Sequence, residues 1–263
     1  MTNLDDIIKK VIKTAISTGA FLRKEVENIK SSDIELKGIH NFVTYVDKEA
    51  EQKIVSELKS ILPQAGFIVE EQTETKKADK YNWIVDPLDG TTNFIHQLPC
   101  FSISIALMKD DEIILGVVYE INQDECFSAI KDGGAFMNGK KISVSKAKTL
   151  NDSLLATGFP YYDYSRIDNY IELFIWFLRN THGVRRFGSA AVDLAYVACG
   201  RFDGFFEYSL NPWDVAAGSL IVKEAGGKVA DFKGENDYLF GKEIVAANSN
   251  IFEDFIQRVK SGF

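Results

Sequence analysis

Residues 83–94, WIVDPLDGTTNF, show where one strand ends and where we expect chemistry. An apolar run leads into Asp86 and Asp89, with a proline, a glycine and two threonines around them, so the pattern predicts a strand that ends in a polar turn. Taken alone, such a turn is more often structural than functional, and Thr91 would simply cap the next helix. The two carboxylates and the main-chain oxygen of Leu88 would also suit Mg²⁺, which prefers oxygen ligands.

Further carboxylates stand at the ends of other predicted elements. Upstream, Glu70 and Glu71 close the short apolar run FIVEE, and downstream Asp214 opens a helix in NPWDVAAG. An aspartate near a helix start is favourable as a cap whether or not a metal is present, so Asp214 alone indicates a cap. If Glu70 and Asp214 met Asp86 and Asp89 in one place, their four negative charges would repel a phosphate unless divalent cations cancelled them.

The chain up to about residue 150 predicts two helices that pack on an antiparallel sheet. Apolar residues repeat at helical spacing over 4–22, with Thr2 or Asn3 as the cap, and again over about 44–62. The period then changes to the alternation of strands and hairpins. The predicted strands lie at 101–107, 113–121, 126–130 and, around an Asn-Gly turn, 135–144.

The rest of the chain alternates between strand and helix patterns, which predicts a second sheet covered by helices. The predicted strands lie at 153–159, 184–187, 203–208 and 244–248, and the helices lie at about 165–179, 189–200, 213–227 and the final segment. No long flexible linker separates the two parts. We therefore expect one domain over 1–263, with halves of about 1–150 and 151–263.

Charge and composition exclude several classes of protein. The 263 residues carry a net charge of −8, which argues against a nucleic-acid partner because such binding needs bases that neutralise phosphates. Cys100, Cys126 and Cys199 have no paired spacing that would indicate disulfides or a zinc site. The sequence has neither a signal-like start nor an apolar run long enough to span a membrane, so we expect a cytoplasmic protein without membrane contact.

Several segments, taken together and in order, resemble the inositol monophosphatase family of magnesium-dependent, lithium-sensitive phosphatases. The resemblance rests on VEE (69–71), DPLDGTTNF (86–94), a hairpin with NGKKISVS, the segment RRFGSAAVDLA and PWDVAAGSLIVKEAGG (212–227). It covers nearly the whole chain. It implies an α+β fold, a layered αβαβα sandwich with an N-terminal antiparallel sheet under a helix pair and a C-terminal mixed sheet.

The resemblance also assigns roles to residues at matching positions. It implies two or three Mg²⁺ ions, held by the side chains of Glu70, Asp86, Asp89 and Asp214 and by the main chain of Leu88. The implied catalytic residues are Glu70, Thr91 and Asp47. The implied substrate contacts are Gly90, Thr91, Gly188, Ala190 and Glu207. Without the family, Asp47 would be interpreted as a helix-starting acid, and Glu207 would as readily be an exposed charge at a strand end.

The implied reaction is hydrolysis of inositol 1-phosphate or a similar small sugar phosphate by direct attack of a metal-bound water, without a phosphoenzyme. Related substrates are fructose 1,6-bisphosphate, the 2′-phosphate of NADP and 3′-phosphoadenosine 5′-phosphate. Thr91-Thr92-Asn93-Phe94 resembles the inositol branch more than the nucleotide branch. A second hypothesis is a binding protein that contacts another macromolecule. Family members are commonly homodimers, and the apolar stretch 170–178 would suit an interface or a buried helix.

Overall fold

Among the residues that the structure describes (3–29, 34–38, 41–160 and 163–263), two large sheets alternate with three layers of helices in a computed structural model. The helices are α1 (Leu4–Glu25), α2 (Tyr45–Ile61), α3 (Thr91–Ile95), α4 (Ile167–Asn180), α5 (Ala190–Ala198), α6 (Pro212–Glu224) and α7 (Phe252–Gly262). The strands are β1 (Ile34–Gly38), β2 (Asn41–Thr44), β3 (Gly66–Val69), β4 (Tyr81–Asp89), β5 (Ser102–Lys109), β6 (Glu112–Glu120), β7 (Glu125–Ile130), β8 (Gly134–Met137), β9 (Lys140–Lys141), β10 (Leu154–Thr157), β11 (Gly183–Arg185), β12 (Gly204–Tyr208), β13 (Gly227–Ala230) and β14 (Glu243–Asn248).

The helix pair α1 and α2 covers the outer face of the first sheet. The apolar side of α1 packs on β5, β6 and β7, and α2 packs on β4. Asn3 caps α1 by accepting a hydrogen bond from the main-chain N–H of Asp5, whereas Thr2 lies outside the described residues. The two helices predicted from periodicity are therefore confirmed, and α1 extends one turn beyond the predicted end.

The first sheet has the strand order β3-β4-β5-β6-β7-β8-β9. From β4 onward each neighbour is antiparallel, as the alternating pattern predicts, while β3 adds a parallel pair with β4. Asn138 and Gly139 both have positive φ, of 49° and 75°, which is the conformation of a tight hairpin turn between β8 and β9. The predicted hairpin is confirmed, but its second strand ends at Lys141 and not at residue 144.

Helices α5 and α6 form the middle layer, in contact with both sheets, and α4 and α7 cover the far side of the second sheet. That sheet has the order β11-β10-β12-β14-β13 and mixes parallel with antiparallel pairs. The layered αβαβα sandwich with a mixed C-terminal sheet is thus confirmed. In the described part of the chain, no helix is long and apolar enough to cross a membrane.

The prediction for residues 213–227 was wrong at its end. We expected helix throughout, but α6 stops at Glu224 and β13 starts at Gly227. Gly226 has a φ of +90°, the left-handed conformation that ends many helices. The strands of the two sheets lie on either side of residue 150, as the predicted halves require, and their union in one domain stays a prediction.

Candidate functional site

A β-bulge in β4 brings Asp86 and Asp89 to the same face of the first sheet. Asp86 lies opposite Ser104, and Asp89 lies opposite Ser102, so three steps along β4 match two steps along β5. Because side chains alternate between faces, residues three apart would otherwise point in opposite directions. The sequence predicted that the strand ends before these aspartates. It continues through Asp89 instead, with Pro87, which has no N–H to donate, inside the bulge.

The face that carries these aspartates looks toward the middle helices. Ser104 Oγ donates a hydrogen bond to the main-chain oxygen of Trp213, and the hydroxyls of Ser102 and Ser189 lie 3.2 Å apart. The starts of α5 and α6 therefore meet the end of β4. This arrangement closes a cavity from elements far apart in the sequence.

The cavity has a volume of about 770 Å³ including its open mouth. The structure brings together here nearly all residues that the resemblance assigns to the site: Glu70, Asp86, Leu88, Asp89, Gly90, Thr91, Gly188, Ala190, Glu207 and Asp214. The remaining one, Asp47, is buried behind Thr91 and does not line the cavity. Its contact with the site runs through the Thr91 hydroxyl.

The acidic groups of the cavity strongly perturb one another. Burial raises the pKa of Asp86 well above its usual value, and the charges of Glu70, Asp89 and Asp214 raise it further. Burial likewise raises the pKa of Asp89 to about 6 and that of Asp214 to about 7, the latter with a further contribution from the charge of Asp89. A cation placed among these groups would reverse the cost of ionising them.

The donor set suits a hard divalent cation, because it consists of carboxylate oxygens and the main-chain oxygen of Leu88. Within the described ranges, however, no three acidic, histidine or cysteine side chains are arranged to hold a metal ion together. Two carboxylate oxygens accept hydrogen bonds from the protein: Asp89 Oδ2 from Ser189 Oγ (2.6 Å) and Ala191 N (2.8 Å), and Asp86 Oδ1 from Leu88 N (2.9 Å). The residue types fit the ion.

Asp214 is a helix cap and a cavity residue at once. It occupies the third position of α6, and its Oδ2 accepts a hydrogen bond of 2.7 Å from the main-chain N–H of Asn211. The capping interpretation of the sequence is therefore correct as local structure. The capping role of Asp214 is compatible with a role in the cavity, because the start of α6 opens into the cavity.

Asp47 has the same position at the start of α2. Its Oδ2 accepts hydrogen bonds from the N–H and the hydroxyl of Thr44, and its Oδ1 lies 3.1 Å from Thr91 Oγ1. Thr91 Oγ1 also lies 3.0 Å from the oxygen of Leu88, and its single proton can serve only one of these acceptors at a time. Burial raises the pKa of Asp47, although the hydrogen bonds from Thr44 act in the opposite direction.

Gly90 and Gly188 allow the backbone to approach the cavity closely. Gly90 caps the short helix α3 with a φ of +99°, and Gly188 has a φ of +90°. A Cβ at Gly188 would lie 2.7 Å from Nη1 of Arg186 and 3.0 Å from Nδ2 of Asn93. Both positions therefore favour glycine by conformation, and Gly188 also by space.

Glu207 is buried inside β12, so it is not the exposed charge that the sequence alone allowed. Burial raises its pKa well above the usual value, the charge of Asp214 adds to this, and Arg186 acts against it. The carboxyl group lies directly against Gly158, where an added Cβ would be 2.1 Å from Oε1. Gly158 thus leaves the space that this carboxyl group occupies.

Sequence reasoning missed several residues that line the cavity: Thr92, Gly158, Arg186, Asp193, Ser209, Leu210 and Asn211. It also missed Glu51, a fully buried residue of α2 whose carboxyl group accepts hydrogen bonds from the N–H groups of Glu71 and Thr73 at 2.7 and 2.8 Å. Glu51 thereby holds the turn that presents Glu70. The helical spacing between Asp47 and Glu51 was the available signal, since residues four apart share a helix face.

Comparison with known proteins finds relatives that match nearly the whole chain. The profile of the inositol monophosphatase family matches residues 3–262. Inositol-1-monophosphatase of Mesorhizobium japonicum is 38% identical over 255 residues, which cover 97% of this chain and 96% of that protein. Nus factor SuhB of Escherichia coli is 40% identical over 250 residues, covering 95% and 94% respectively.

A solved structure supports the same relationship. Extragenic suppressor protein SuhB of Bartonella henselae superimposes with a TM-score of 0.92 at 40% identity, covering 98% of this chain and all of that one. The family match, the identities and the superposition all extend over nearly the whole chain. The chain belongs to the inositol monophosphatase family.

Proposed function

We propose that this protein is a Mg²⁺-dependent phosphatase that releases inorganic phosphate from inositol 1-phosphate or a similar small sugar phosphate. The observation that carries the proposal is that four carboxylates converge on a cavity that also contains Thr91. One of them directly follows β3, two lie in β4 and one lies in α6. Family membership and the name of the Mesorhizobium relative support it. An acidic cavity suits an acidic substrate only if cations reverse its charge.

The groups that would hold two or three Mg²⁺ ions are the side chains of Glu70, Asp86, Asp89 and Asp214 and the main-chain oxygen of Leu88. When bound, the ions would lower the pKa of water and stabilise negative charge on the departing oxygen. No serine or cysteine nucleophile is needed for such a reaction.

The chain's own groups would orient the reactants. The Thr91 hydroxyl, which lies within hydrogen-bond distance of both Asp47 and the Leu88 oxygen, would position the attacking water together with Glu70. In this arrangement Asp47 is a positioning residue, because it reaches the site only through Thr91. The N–H groups at Gly90 and Thr91 would meet the phosphate oxygens.

Gly188, Ala190 and Glu207 would surround the alcohol part of the substrate. Glu207, as an acceptor inside the cavity wall, suits hydroxyl groups rather than a hydrophobic alcohol. Fructose 1,6-bisphosphate, the 2′-phosphate of NADP and 3′-phosphoadenosine 5′-phosphate are the alternative substrates. The inositol-like sequence at 91–94 favours inositol among them.

Phosphate release tests the proposal directly. The purified protein should release phosphate from inositol 1-phosphate with Mg²⁺, lose this activity with a chelator and recover it when Mg²⁺ is restored. The other three esters, assayed in parallel, would rank the substrates by kcat/KM. No release from any of the four at saturating Mg²⁺ would contradict the proposal.

A second candidate function comes from the relatives named Nus factor SuhB, which are as similar to this chain as the inositol-1-monophosphatase. Such a role would be the binding of another macromolecule, and the net charge of −8 favours a protein over a nucleic acid. Cells of the source organism that lack the protein would separate the roles. If the Asp89→Asn variant corrected the defect of these cells as fully as the unchanged protein does, the result would favour the binding role.

We also propose a cytoplasmic homodimer that is sensitive to lithium, as the family implies. On α4, Tyr170, Leu173 and Phe177 are buried, while Ile171, Ile175 and Leu178 are exposed. The stretch 170–178 therefore provides both a core face and an exposed apolar face. Sedimentation would test the dimer, and Li⁺ titration of phosphate release would test the inhibition.

A further inference from the structure

Asp193 is an acidic residue of the cavity wall that the proposed reaction does not yet use. It lies on α5, three residues after Ala190, so the two share a helix face, and both line the cavity. Its side chain is 1% exposed, and its Oδ1 has no hydrogen-bond partner. A buried oxygen without a partner is costly, and few native proteins keep one without a reason.

The first turn of α5 is fixed in place relative to the phosphate end of the cavity. Ser189 Oγ and Ala191 N both donate hydrogen bonds to Asp89 Oδ2, and Asp193 N donates to the Ser189 oxygen at 3.0 Å. The position of Asp193 is thereby tied to that of Asp89. A substrate whose phosphate lies near Asp89 would extend its alcohol part along the wall that α5 forms.

Glu207 lines the same cavity, and its charge acts on Asp193. Burial raises the pKa of Asp193 well above its usual value, and the charges of Glu207 and Asp89 raise it further, whereas Arg186 in the same cavity acts against this. A neutral carboxyl group can donate one hydrogen bond and accept others, whereas an ionised one only accepts. Two carboxyl groups on one wall therefore suit a ligand rich in hydroxyl groups, each of which is both a donor and an acceptor.

We propose that Asp193 contacts hydroxyl groups of the substrate and, together with Glu207, makes the cavity select polyol phosphates over phosphate esters without hydroxyl groups. This inference rests on the proposed phosphatase function and adds a specificity residue to it. The physical reason is the cost of leaving buried polar atoms of the site without hydrogen bonds. A site that pairs with hydroxyl groups therefore strongly disfavours a ligand that lacks them.

Asp193→Leu tests the inference, because leucine fills a similar space without hydrogen-bonding capacity. For inositol 1-phosphate, kcat/KM should fall about 10- to 100-fold, chiefly through KM. For phenyl phosphate, which has no free hydroxyl group on its alcohol part, the change should stay within about 3-fold. Asp193→Asn, which keeps a donor and an acceptor, should retain most of the activity on inositol 1-phosphate.

Thermal stability provides a readout that does not depend on activity. If Asp193 is kept for a ligand, replacing its unpaired oxygen by an apolar group should leave Tm unchanged or raise it. The matched control is Glu120→Leu, which removes a buried acid that lies outside the cavity and accepts hydrogen bonds from Asn122 and Gln123. This variant should lower Tm without changing the ratio of kcat/KM for the two esters.

The outcomes distinguish the two proposals. No phosphate release by the unchanged protein from either ester at saturating Mg²⁺ overturns the phosphatase function, and this inference with it. Activity in the unchanged protein, combined with equal losses on both esters in Asp193→Leu or no loss on either, overturns only the role of Asp193. A fall in Tm as large as that of Glu120→Leu would also overturn it, since Asp193 would then support the fold.

Discussion

At the scale of single residues, the carboxyl group of Asp214 takes part in both a helix cap and the cavity. One oxygen caps α6 through the N–H of Asn211, and the residue also lines the acidic cavity. Asp89 similarly accepts hydrogen bonds from Ser189 and Ala191 while it faces the same cavity. The helix starts and the proposed metal binding therefore depend on the same carboxyl groups. A useful substitution must remove the charge of the group while it keeps the hydrogen bonds.

Asp89→Asn and Asp214→Asn are expected to abolish phosphate release while the fold persists. Asparagine keeps an oxygen that accepts the same N–H and O–H hydrogen bonds, but it removes the negative charge that a Mg²⁺ ligand supplies. Since even the outer partners of metal ligands commonly affect activity by 10- to 100-fold, we expect losses above about 100-fold at saturating Mg²⁺. The assay measures phosphate release, with circular dichroism as the control for folding. Near-normal turnover by either variant would contradict the assignment.

The raised pKa values predict a pH dependence of stability in the absence of metal. Asp89 and Asp214 have a pKa of about 6 and about 7 in the folded protein, against 3.8 for the unperturbed group. The folded state thus holds protons that the unfolded state releases, so these groups favour folding at low pH and lose this contribution as pH rises through 4 to 7. In chelator, Tm should fall between about pH 4 and pH 7.

Two controls accompany this measurement. Asp214→Asn should make Tm depend less steeply on pH, because one titrating group is removed. Saturating Mg²⁺ should raise Tm most at the highest pH values of the range. A Tm that rises steadily from acid to neutral pH in chelator would show that these carboxyl groups do not control stability in that range.

At the scale of secondary-structure elements, close packing of α5 on α6 sets the position of both helix starts. A Cβ at Gly218 of α6 would lie 2.6 Å from the Cβ of Leu194 on α5. The helices can therefore approach this closely only with glycine at that position. Since Asp214 lies in the first turn of α6 and Asp193 lies on α5, the contact also affects the spacing of the cavity walls.

Gly218→Ala is expected to lower the free energy of unfolding by about 1–3 kcal/mol, because an extra methyl group in a filled interface forces the helices apart. The matched control is Gly262→Ala in α7, where the added Cβ would meet Leu173 at an ordinary 3.4 Å. That change should be neutral or stabilising by up to about 1 kcal/mol. Urea unfolding measures both, and equal midpoints for the two variants would contradict the packing argument.

At the scale of the whole molecule, the middle helix layer links the two sheets. Helix α6 packs on β4, β5 and β6 of the first sheet and on β13 and β14 of the second. Its buried face is therefore part of an apolar core that includes residues of both halves. Neither sheet would keep that core covered if the other unfolded.

We expect the two halves to unfold together as one domain. Calorimetry should give a single transition whose calorimetric and van't Hoff enthalpies agree, as for a two-state domain. Mild proteolysis should not yield a stable fragment by cutting between β9 and β10. Two separable transitions, or a folded fragment of either half, would show that the halves are independent domains.

How much of the site could be predicted depends on the residue. Asp86 and Asp89 stood out because they directly follow an apolar run, and Asp214 was correctly interpreted as a cap. Glu207 and Asp47 had no distinctive local signal and were assigned only through the family resemblance. Asp193 was missed, because a single acid within an apolar helical segment carries no signal until its surroundings are known.

The sequence by itself determined the helices, most strands, the turn at Asn138-Gly139 and the caps at Asn3 and Asp214, since these depend on periodicity and on hydrogen bonds between near neighbours. Thr91 does not cap α3 as the sequence suggested, because Gly90 is the cap and the Thr91 hydroxyl lies against Asp47 and Leu88 instead. Only the tertiary structure decided that the acids converge. The bulge in β4 turns Asp86 and Asp89 to one face, and the packing of α5 and α6 brings Asp214 and Asp193 to it. The physical reason is that register and packing arise from contacts between distant segments, which local patterns do not specify.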